Sequence, residues 1–226
     1  MTIEKLVKYC LQYLEQDSET NVMETDIEEL ESDDTYKEYL YNIHHSIYMG
    51  LVRFATSKIL PLKEFCLTSE QTNDNGEKTL KTETIARLID DNGKRLFHEV
   101  KEIYAIDKNG NMLKGVAYVL IGDKIILKNI KEDYYYYVLY YPTIHDLSYY
   151  NEDIMQIDLE KLGVPDEMAI NIKYLVYSDM KIDESASIAN LNKNYFENYL
   201  SEMQTTKVEN SQIELAEQEW GDLYGD

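Results

Sequence analysis

Near its middle the sequence runs Tyr134-Tyr135-Tyr136-Tyr137-Val138-Leu139-Tyr140-Tyr141-Pro142, a segment typical of one β-strand because it is almost entirely aromatic and aliphatic. Side chains alternate between the faces of a strand, which puts Tyr136 and Tyr140 on one face and Tyr135 and Tyr137 on the other. Both faces are apolar, so we expect the strand to be covered on both sides. The cover is either a second layer of the same chain, which would make this a central strand, or a neighbouring subunit.

Candidate hairpin turns divide the residues before this strand. They are Asn75-Gly76, Asn92-Gly93, Asn109-Gly110 and Gly122-Asp123. Asn-Gly tolerates the positive φ angles of a tight turn. The segments between the turns are rich in β-branched and aromatic residues, namely Thr79–Ile89, Leu96–Ile106, Leu113–Ile121 and Ile125–Ile130. We therefore predict an antiparallel β-meander, rolled into a sandwich or barrel so that its apolar edges are not left open.

Helical periodicity lies on both sides of the β segment. An apolar stripe runs from Ile3 to Leu14, and a long helix is predicted from Asp33-Asp34 to Lys58, before Pro61. Pro165-Asp166-Glu167 indicates a helix start, because proline and carboxylates suit the first turn. A last helix is predicted over Ser185–Met203. Its expected inner face is Ile188, Leu191, Tyr195, Phe196, Tyr199 and Leu200.

The order of these elements predicts an α+β protein. We expect an antiparallel helical bundle formed by the N- and C-terminal helices, with the β-meander inserted between them. The predicted boundaries are residues 1–61 for the first helices, 62–142 for the β insertion, 143–204 for the last helices and 205–226 for an acidic extended arm.

Charge limits the classes of function. Lys and Arg total 22 against 43 Asp and Glu, a formal net charge of −21, which disfavours a protein that grips DNA phosphates. Much of this charge lies in two runs, Asp17–Asp34 and Thr205–Asp226. No apolar segment is long enough for a membrane helix, and Cys10 and Cys66 are expected to be free thiols.

Candidate catalytic and metal sites are weak in this sequence. Asp107 to Asn111 loosely resembles the start of a calcium loop, but Gly110 is fourth rather than sixth, so a hairpin turn is favoured. His44 and His45 are adjacent on a predicted helix and point about 100° apart, which is unsuited to one metal. Serine-nucleophile, phosphate-loop and dinucleotide motifs are missing. We therefore expect no enzyme activity, no metal and no cofactor.

Aromatic residues offer the candidate contact sites. The chain has 21 Tyr against 4 Phe and 1 Trp, a bias that base composition alone could produce but that does not explain the clustering at the tyrosine strand. The acidic arm contains Trp220, Leu223 and Tyr224, which are either anchors for a partner or incidental aromatics of a frayed terminus. The predicted interface residues are Tyr135, Tyr136, Tyr137, Tyr140, Trp220, Leu223 and Tyr224.

The C-terminal half carries a resemblance to a known family. Its elements are Tyr140-Tyr141-Pro142, an acidic loop through Asp146, the Pro165-initiated helix, Asp183-Glu184, and the aromatic helix Asn194–Leu200. This order resembles the head–tail connector (adaptor) proteins of tailed bacteriophages, including the branch similar to tail tubular protein A. Residues 27–54 are similar to the first helical hairpin of that family, so the resemblance covers most of residues 1–204. The long β insertion and the acidic arm depart from the simpler adaptors.

The resemblance implies a structural virion protein. Members form a ring of about twelve copies that docks beneath the portal protein, prolongs the DNA channel and receives the tail or further neck proteins. DNA would pass through the negatively charged channel without specific binding, and no membrane is involved. The protein would be made in the host cytoplasm and reside in the neck of the virion.

Two other classes stay open. An acidic protein can mimic DNA and block a DNA-binding protein, although such a mimic spreads its carboxylates along one face rather than in two runs. A small hydrolase is the other alternative, because a pair of carboxylates for acid–base chemistry is always available among 43.

Overall fold

The computed structural model contains helices and antiparallel β-sheets, so the protein belongs to the mixed α+β class. The chain divides into two compact units: unit 1 is Met1–Ile59 with Ile144–Asp226, and unit 2 is Leu60–Thr143. The structure describes residues 1–14, 22–32, 34–72, 78–89, 93–145 and 153–224.

Unit 1 contains the helices. They are α1 (Ile3–Leu14), α2 (Ile27–Ser32), α3 (Asp34–Thr56), α4 (Asp166–Ala169), α5 (Ile172–Lys181) and α6 (Ala186–Tyr224), with a 3₁₀ turn at Ile154–Gln156. Helices from both ends of the chain pack together, because α5 contacts α1, α3 and α6. The start of the chain forms backbone hydrogen bonds with the segment after the 3₁₀ turn. The N–H of Ile3 donates to the carbonyl oxygen of Ile157 at 3.0 Å, and the N–H of Leu159 donates to the carbonyl oxygen of Met1 at 2.9 Å.

Apolar spacing fixes the buried sides of α1 and α3. The predicted stripe of α1 is buried from Ile3 to Leu11, and α3 buries Ile43, Ile47, Leu51 and Phe54 at helical intervals. Gly50 lets α3 approach α5 closely, since a Cβ atom at this position would lie 3.0 Å from Cγ1 of Ile172. Even a methyl group at position 50 would require the Ile172 side chain to shift by a few tenths of an ångström.

The inner face of α6 differs from the prediction. Ala189, Asn192, Phe196 and Leu200 are buried, whereas Ile188, Leu191 and Tyr195 are each nearly half exposed. Asn192 can be buried because its amide is satisfied: Nδ2 donates to the carbonyl oxygen of Ile188 at 3.0 Å, and Oδ1 accepts from the Tyr13 hydroxyl at 2.9 Å. The sequence pattern assigned Asn192 to solvent and thereby rotated the expected face.

Helix α6 also continues past its predicted end. It runs to Tyr224, so the predicted extended arm is helical as far as that residue. The sequence favours this outcome, because Glu, Gln, Ala and Leu dominate residues 212–219 and all are good helix formers. Trp220, Leu223 and Tyr224 lie in this helix, and their side chains fall outside the described residues.

Unit 2 contains the strands. They are β1 (Lys63–Cys66), β2 (Thr68–Thr72), β3 (Lys78–Thr82), β4 (Ile85–Arg87), β5 (Phe97–Asp107), β6 (Met112–Leu113), β7 (Tyr118–Ile121), β8 (Lys124–Leu127) and β9 (Tyr134–Pro142). They form sheets of order β1-β9-β5-β6, β2-β3 and β4-β8-β7, all antiparallel. None of these sheets closes into a barrel over the strands that the structure describes.

The pairing departs from a simple meander. Strand β9 lies between β1 and β5, so the tyrosine strand is central but its neighbours are distant in sequence. Two predicted turns are confirmed, since Gly110 and Gly122 have positive φ angles in the β5–β6 and β7–β8 hairpins. Gly93 also has a positive φ, while Asn75, Gly76 and Asn92 lie outside the described residues.

One hydrophobic core serves two of the sheets. The inward residues of β5 and β9, with Ile103, Tyr136 and Val138 at their centre, pack in the same cluster as Ala86, Ile125 and Leu127 of the three-stranded sheet. The inward faces of the two sheets are therefore turned toward each other. Their outward faces lie on opposite sides of unit 2.

Candidate interaction surface

Strand β9 separates its tyrosines into a core set and a surface set. Tyr136, Val138 and Tyr140 are buried, and Tyr136 is 1% exposed. Tyr135, Tyr137 and the other residues of the alternate face are half-buried. Of the two faces proposed for contact with a neighbour, the one bearing Tyr136 and Tyr140 is filled by the core of its own unit. The face bearing Tyr135 and Tyr137 is the one that remains at the surface.

Tyr136 is a fully integrated core residue. Its hydroxyl oxygen accepts the backbone N–H of Lys131 at 2.7 Å, and its own N–H donates to Oγ1 of Thr68 at 2.9 Å. Its carbonyl oxygen accepts the N–H of Leu67 at 2.7 Å. These bonds satisfy a buried ring that would otherwise carry an unpaired hydroxyl into the core.

We call the surface set the tyrosine face. It consists of Tyr104, Tyr135, Tyr137, Leu139 and Tyr141, bordered by Glu64, Glu70, Glu99 and Glu102. The register places Tyr137 between Cys66 of β1 and Tyr104 of β5 in one row, and Leu139 between Glu64 and Glu102 in the next. The face is therefore aromatic at its centre and negatively charged at its margin.

Ring stacking and carboxylates hold these tyrosines in place. The rings of Tyr104 and Tyr137 are stacked, with centroids 5.3 Å apart and planes inclined by 16°. The Tyr104 hydroxyl donates to the carboxylate of Glu64. The Tyr135 hydroxyl donates to Oε1 of Glu70 at 2.8 Å, and Oε2 of the same carboxylate pairs with Nζ of Lys78 at 3.1 Å. Rings fixed in this way lose little conformational freedom when another surface covers them.

The same contacts shift the protonation equilibria. Burial, and then the hydrogen bond to Glu64, raises the pKa of Tyr104 far above its ordinary value. The hydrogen bond to Glu70 raises the pKa of Tyr135, and the same bond, with Lys78, lowers the pKa of Glu70. At neutral pH the two tyrosines are thus neutral donors and Glu70 is a charged acceptor. A raised pKa keeps both hydroxyls protonated at that pH, so that they donate hydrogen bonds and little tyrosinate is present.

A second aromatic cluster lies in unit 1. Tyr13 of α1 makes edge-to-face contacts with Tyr174 and Tyr177 of α5, at centroid distances of 5.5 and 5.2 Å. Tyr195 of α6 packs on Tyr174 at 5.5 Å, and Nζ of Lys173 lies 5.2 Å from the centre of the Tyr13 ring. This cluster joins three helices and was not anticipated from the sequence, because its members come from separate parts of the chain.

The weak catalytic and metal candidates do not gather into a site. Oδ1 of Asp107 accepts the N–H groups of Asn109 and Asn111, both at 2.8 Å, so this carboxylate caps the predicted hairpin turn. Hydrogen bonds from the Asn111 side chain and backbone lower the pKa of Asp107. Within the part of the chain that the structure describes, no group of three His, Cys, Asp or Glu side chains is placed to hold a metal ion.

The two cysteines are free, as predicted. Cys10 is buried in unit 1, and this burial raises the pKa of its thiol. Cys66 is exposed at the margin of the tyrosine face, where its Sγ lies 3.4 Å from the carbonyl oxygen of Thr68.

Comparisons with known proteins identify no family for this chain. A comparison with protein-family models finds no match, and a comparison with curated proteins finds none. Among the described residues, no helix combines the length and apolar character needed to cross a membrane. The tyrosine face is the surface of the molecule whose composition and order indicate a contact with another protein.

Proposed function

We propose that this chain is a subunit of the head–tail connector (adaptor) ring of a tailed bacteriophage. In this role about twelve copies surround the DNA channel beneath the portal protein and receive the tail or further neck proteins. The protein is then a structural component of the virion neck rather than an enzyme. The observation that carries the proposal is the tyrosine face, an ordered aromatic surface on the outer side of unit 2.

The tyrosine face has the composition of a protein contact. Interfaces are enriched in tyrosine, which brings a large apolar ring and a hydroxyl that tolerates water. Here Tyr104, Tyr135 and Tyr137 are only half-buried, and their hydroxyl or ring contacts hold them in place. Covering such a ring stabilises an assembly by roughly 2 kcal/mol, because apolar area is removed from water without ordering a loose side chain.

The connector proposal includes an architecture for the subunit. Helices α1, α3, α5 and α6 form one antiparallel bundle, and residues 60–143 are inserted between α3 and α4 as a β-sandwich. The division of the chain into two units and the packing of α5 against α1, α3 and α6 support this arrangement.

Charge supports a channel that does not hold DNA. The net charge of −21 repels phosphates, so a genome can slide through a ring of such subunits without adhering. In the alternative function, an acidic DNA mimic, the same negative charge would bind the DNA site of another protein. Such a mimic acts as a monomer or small oligomer and not as a ring around DNA.

The end of α6 is the proposed docking element for the portal. Gln204 and Lys207 contact the carbonyl oxygens of Ser57 and Lys58, and the helix then continues to Tyr224. Residues 208–224 carry Glu and Asp but no Lys or Arg, together with Trp220, Leu223 and Tyr224. Aromatic residues on a helix of this kind are typical anchors for a groove on a partner.

Native mass measurement of the full chain, alone and with the portal protein of the same virion, tests this function. We expect a closed ring, either free or on the portal, and loss of portal binding when residues 212–226 are deleted while the circular dichroism of the remainder is kept. A protein that stays monomeric with portal present, or that instead binds and inhibits a DNA-binding protein, would show that the connector assignment is wrong.

A further inference from the structure

The sheet opposite the tyrosine face also presents an apolar surface. In the three-stranded sheet, Ile126 of β8 is paired with Ile85 of β4 on one side and with Val119 of β7 on the other, so these residues form one row. The alternate residues of the sheet, including Ala86 and Ile125, belong to the core. The row therefore lies on the outward face, where Ile85 is 59% exposed and Ile121 is 58% exposed. We call Ile85, Val119, Ile121 and Ile126 the isoleucine face.

The isoleucine face is bordered by positive charge. The row next to Ile85–Ile126–Val119 contains Arg87, Lys124 and Ile121, and Lys128 follows β8 in the same alternation. One acidic side chain, Asp123, pairs with Arg87 at 3.6 Å and offsets part of this charge. A positive surface is unusual on a chain whose acidic residues outnumber its basic ones by 43 to 22.

The two outward faces of unit 2 are complementary. The tyrosine face places Leu139 between Glu64 and Glu102, while the isoleucine face places Lys124 between Arg87 and Ile121. Both have an apolar centre of similar construction, one aromatic and one aliphatic. They carry opposite charges and, because both sheets share one core, they lie on opposite sides of the unit.

We propose that copies of this chain associate head to tail, with the tyrosine face of one copy seated on the isoleucine face of the next. This inference deepens the proposed ring and rests on it, since it names the two surfaces that would join neighbouring subunits. A contact between unlike surfaces repeats from copy to copy, and it closes into a ring when the rotation per step permits. The partner is thus a second copy, selected by charge complementarity and by two apolar centres that are half-buried or exposed within the described chain.

Like-with-like pairing is disfavoured by the same charges. Two tyrosine faces would bring Glu64 and Glu102 of each copy against those of the other, and two isoleucine faces would do the same with Arg87 and Lys124. Juxtaposed like charges suppress the wrong pairing and leave the alternating one. The local attraction also offsets part of the long-range repulsion between copies that each carry a net charge of −21.

Two charge-reversed full-length variants test the pairing. Variant A is Glu64→Lys with Glu102→Lys on the tyrosine face, and variant B is Arg87→Glu with Lys124→Glu on the isoleucine face. Because Glu70 is already paired with Lys78, reversing Glu64 and Glu102 makes the charge around Leu139 positive, and variant B makes both of its faces negative. Each variant alone should therefore associate at least about a hundredfold more weakly than the original chain. An equal mixture should assemble again, because the basic tyrosine face of variant A meets the acidic isoleucine face of variant B, and the reverse contact is also complementary.

Matched controls reverse exposed charges on other surfaces. Glu160→Lys with Glu202→Lys is the control for variant A, and Lys5→Glu with Lys81→Glu is the control for variant B. Association is read by sedimentation velocity, and folding of every variant by circular dichroism and thermal melting. We expect the controls to assemble like the original chain, and we expect raised salt to weaken the assembly of the original chain.

Several outcomes would overturn this inference. Variants A and B that assemble as well as the controls would show that the contact lies elsewhere, and so would folded variants whose mixture stays monomeric. A chain that is monomeric at every concentration would also overturn it. The connector proposal can fail while the pairing of the two faces holds. Open head-to-tail filaments that do not bind the portal protein would support the pairing of the faces and contradict a ring beneath the portal.

Discussion

Tyrosine serves different purposes in the two units. In unit 1, Tyr13, Tyr174, Tyr177 and Tyr195 contact one another edge to face or tilted, and the Tyr13 hydroxyl is bound by the neutral side chain of Asn192. In unit 2, the surface tyrosines lie on a sheet and donate to carboxylates. The first arrangement turns rings toward each other and joins helices. The second stacks Tyr104 on Tyr137 at the half-buried surface of a sheet, which teaches that an abundance of tyrosine can serve internal packing in one unit and the proposed recognition in the other.

The strongest test of this contrast lies within β9. Tyr136→Ala removes a ring that is 1% exposed and should lower the free energy of unfolding by about 3–5 kcal/mol, as expected for a large side chain deleted from a core. Tyr137→Ala, one residue along on the outer face, should cost roughly 1 kcal/mol and weaken self-association instead. Urea unfolding measures the loss of stability in both variants, and sedimentation measures the loss of self-association. Equal losses of stability would show that the two faces do not differ in their contribution to the fold.

A smaller effect is expected at the tyrosine cluster of unit 1. Asn192→Ala leaves the half-buried hydroxyl of Tyr13 without its acceptor and should cost about 1–3 kcal/mol of unfolding free energy. Adding Tyr13→Phe to this variant should recover part of the loss, because the unpaired hydroxyl is then removed. Self-association should not change in either variant. A loss of assembly without a loss of stability would instead place a subunit contact at unit 1.

The smallest expected effect is a dependence of stability on alkaline pH. A tyrosine whose folded pKa is raised contributes stability that is complete below its unfolded pKa, about 10, and that is lost as pH rises toward the folded value. The raised pKa of Tyr104 and Tyr135 therefore predicts that the urea midpoint falls above about pH 10. The fall should be shallower in Tyr104→Phe with Tyr135→Phe. Ultraviolet absorbance of tyrosinate provides the independent check, and identical titrations of both proteins would contradict the assignment.

Local patterns predicted local structure well. The stripe from Ile3 to Leu14 gave α1, and Asn109-Gly110 gave a hairpin with positive φ at the glycine. The aromatic and aliphatic run at residues 134–142 predicted strand β9, although only one of its faces is buried by its own unit rather than both. Each of these features is decided by residues that are close neighbours in sequence, where periodicity and turn preference act directly.

The remaining features depend on partners that are distant in sequence. Nothing near β9 indicates that its neighbours are β1 and β5, because the register of a non-consecutive pair is set by packing on the common core. The carboxylates of Glu64 and Glu70 were missed for the same reason, and the first strand segment named from the sequence began only at Thr79, after β1 and β2. The inner face of α6 was rotated because Asn192 becomes acceptable inside only through the hydroxyl of Tyr13.

The length of α6 has a mechanical consequence. With 39 residues at 1.5 Å each, the helix spans about 58 Å, and its last described side-chain contacts with the end of α3 are made by Gln204 and Lys207. A continuous hydrogen-bonded helix resists bending, so a sideways load applied near Tyr224 acts as on a lever whose fulcrum is Ser57 and Lys58. Strain would then enter unit 1 at the junction where α3 ends and the chain departs for unit 2. A pull on the far end of α6 is thus felt first at Ser57 and Lys58, before it reaches buried residues such as Phe196.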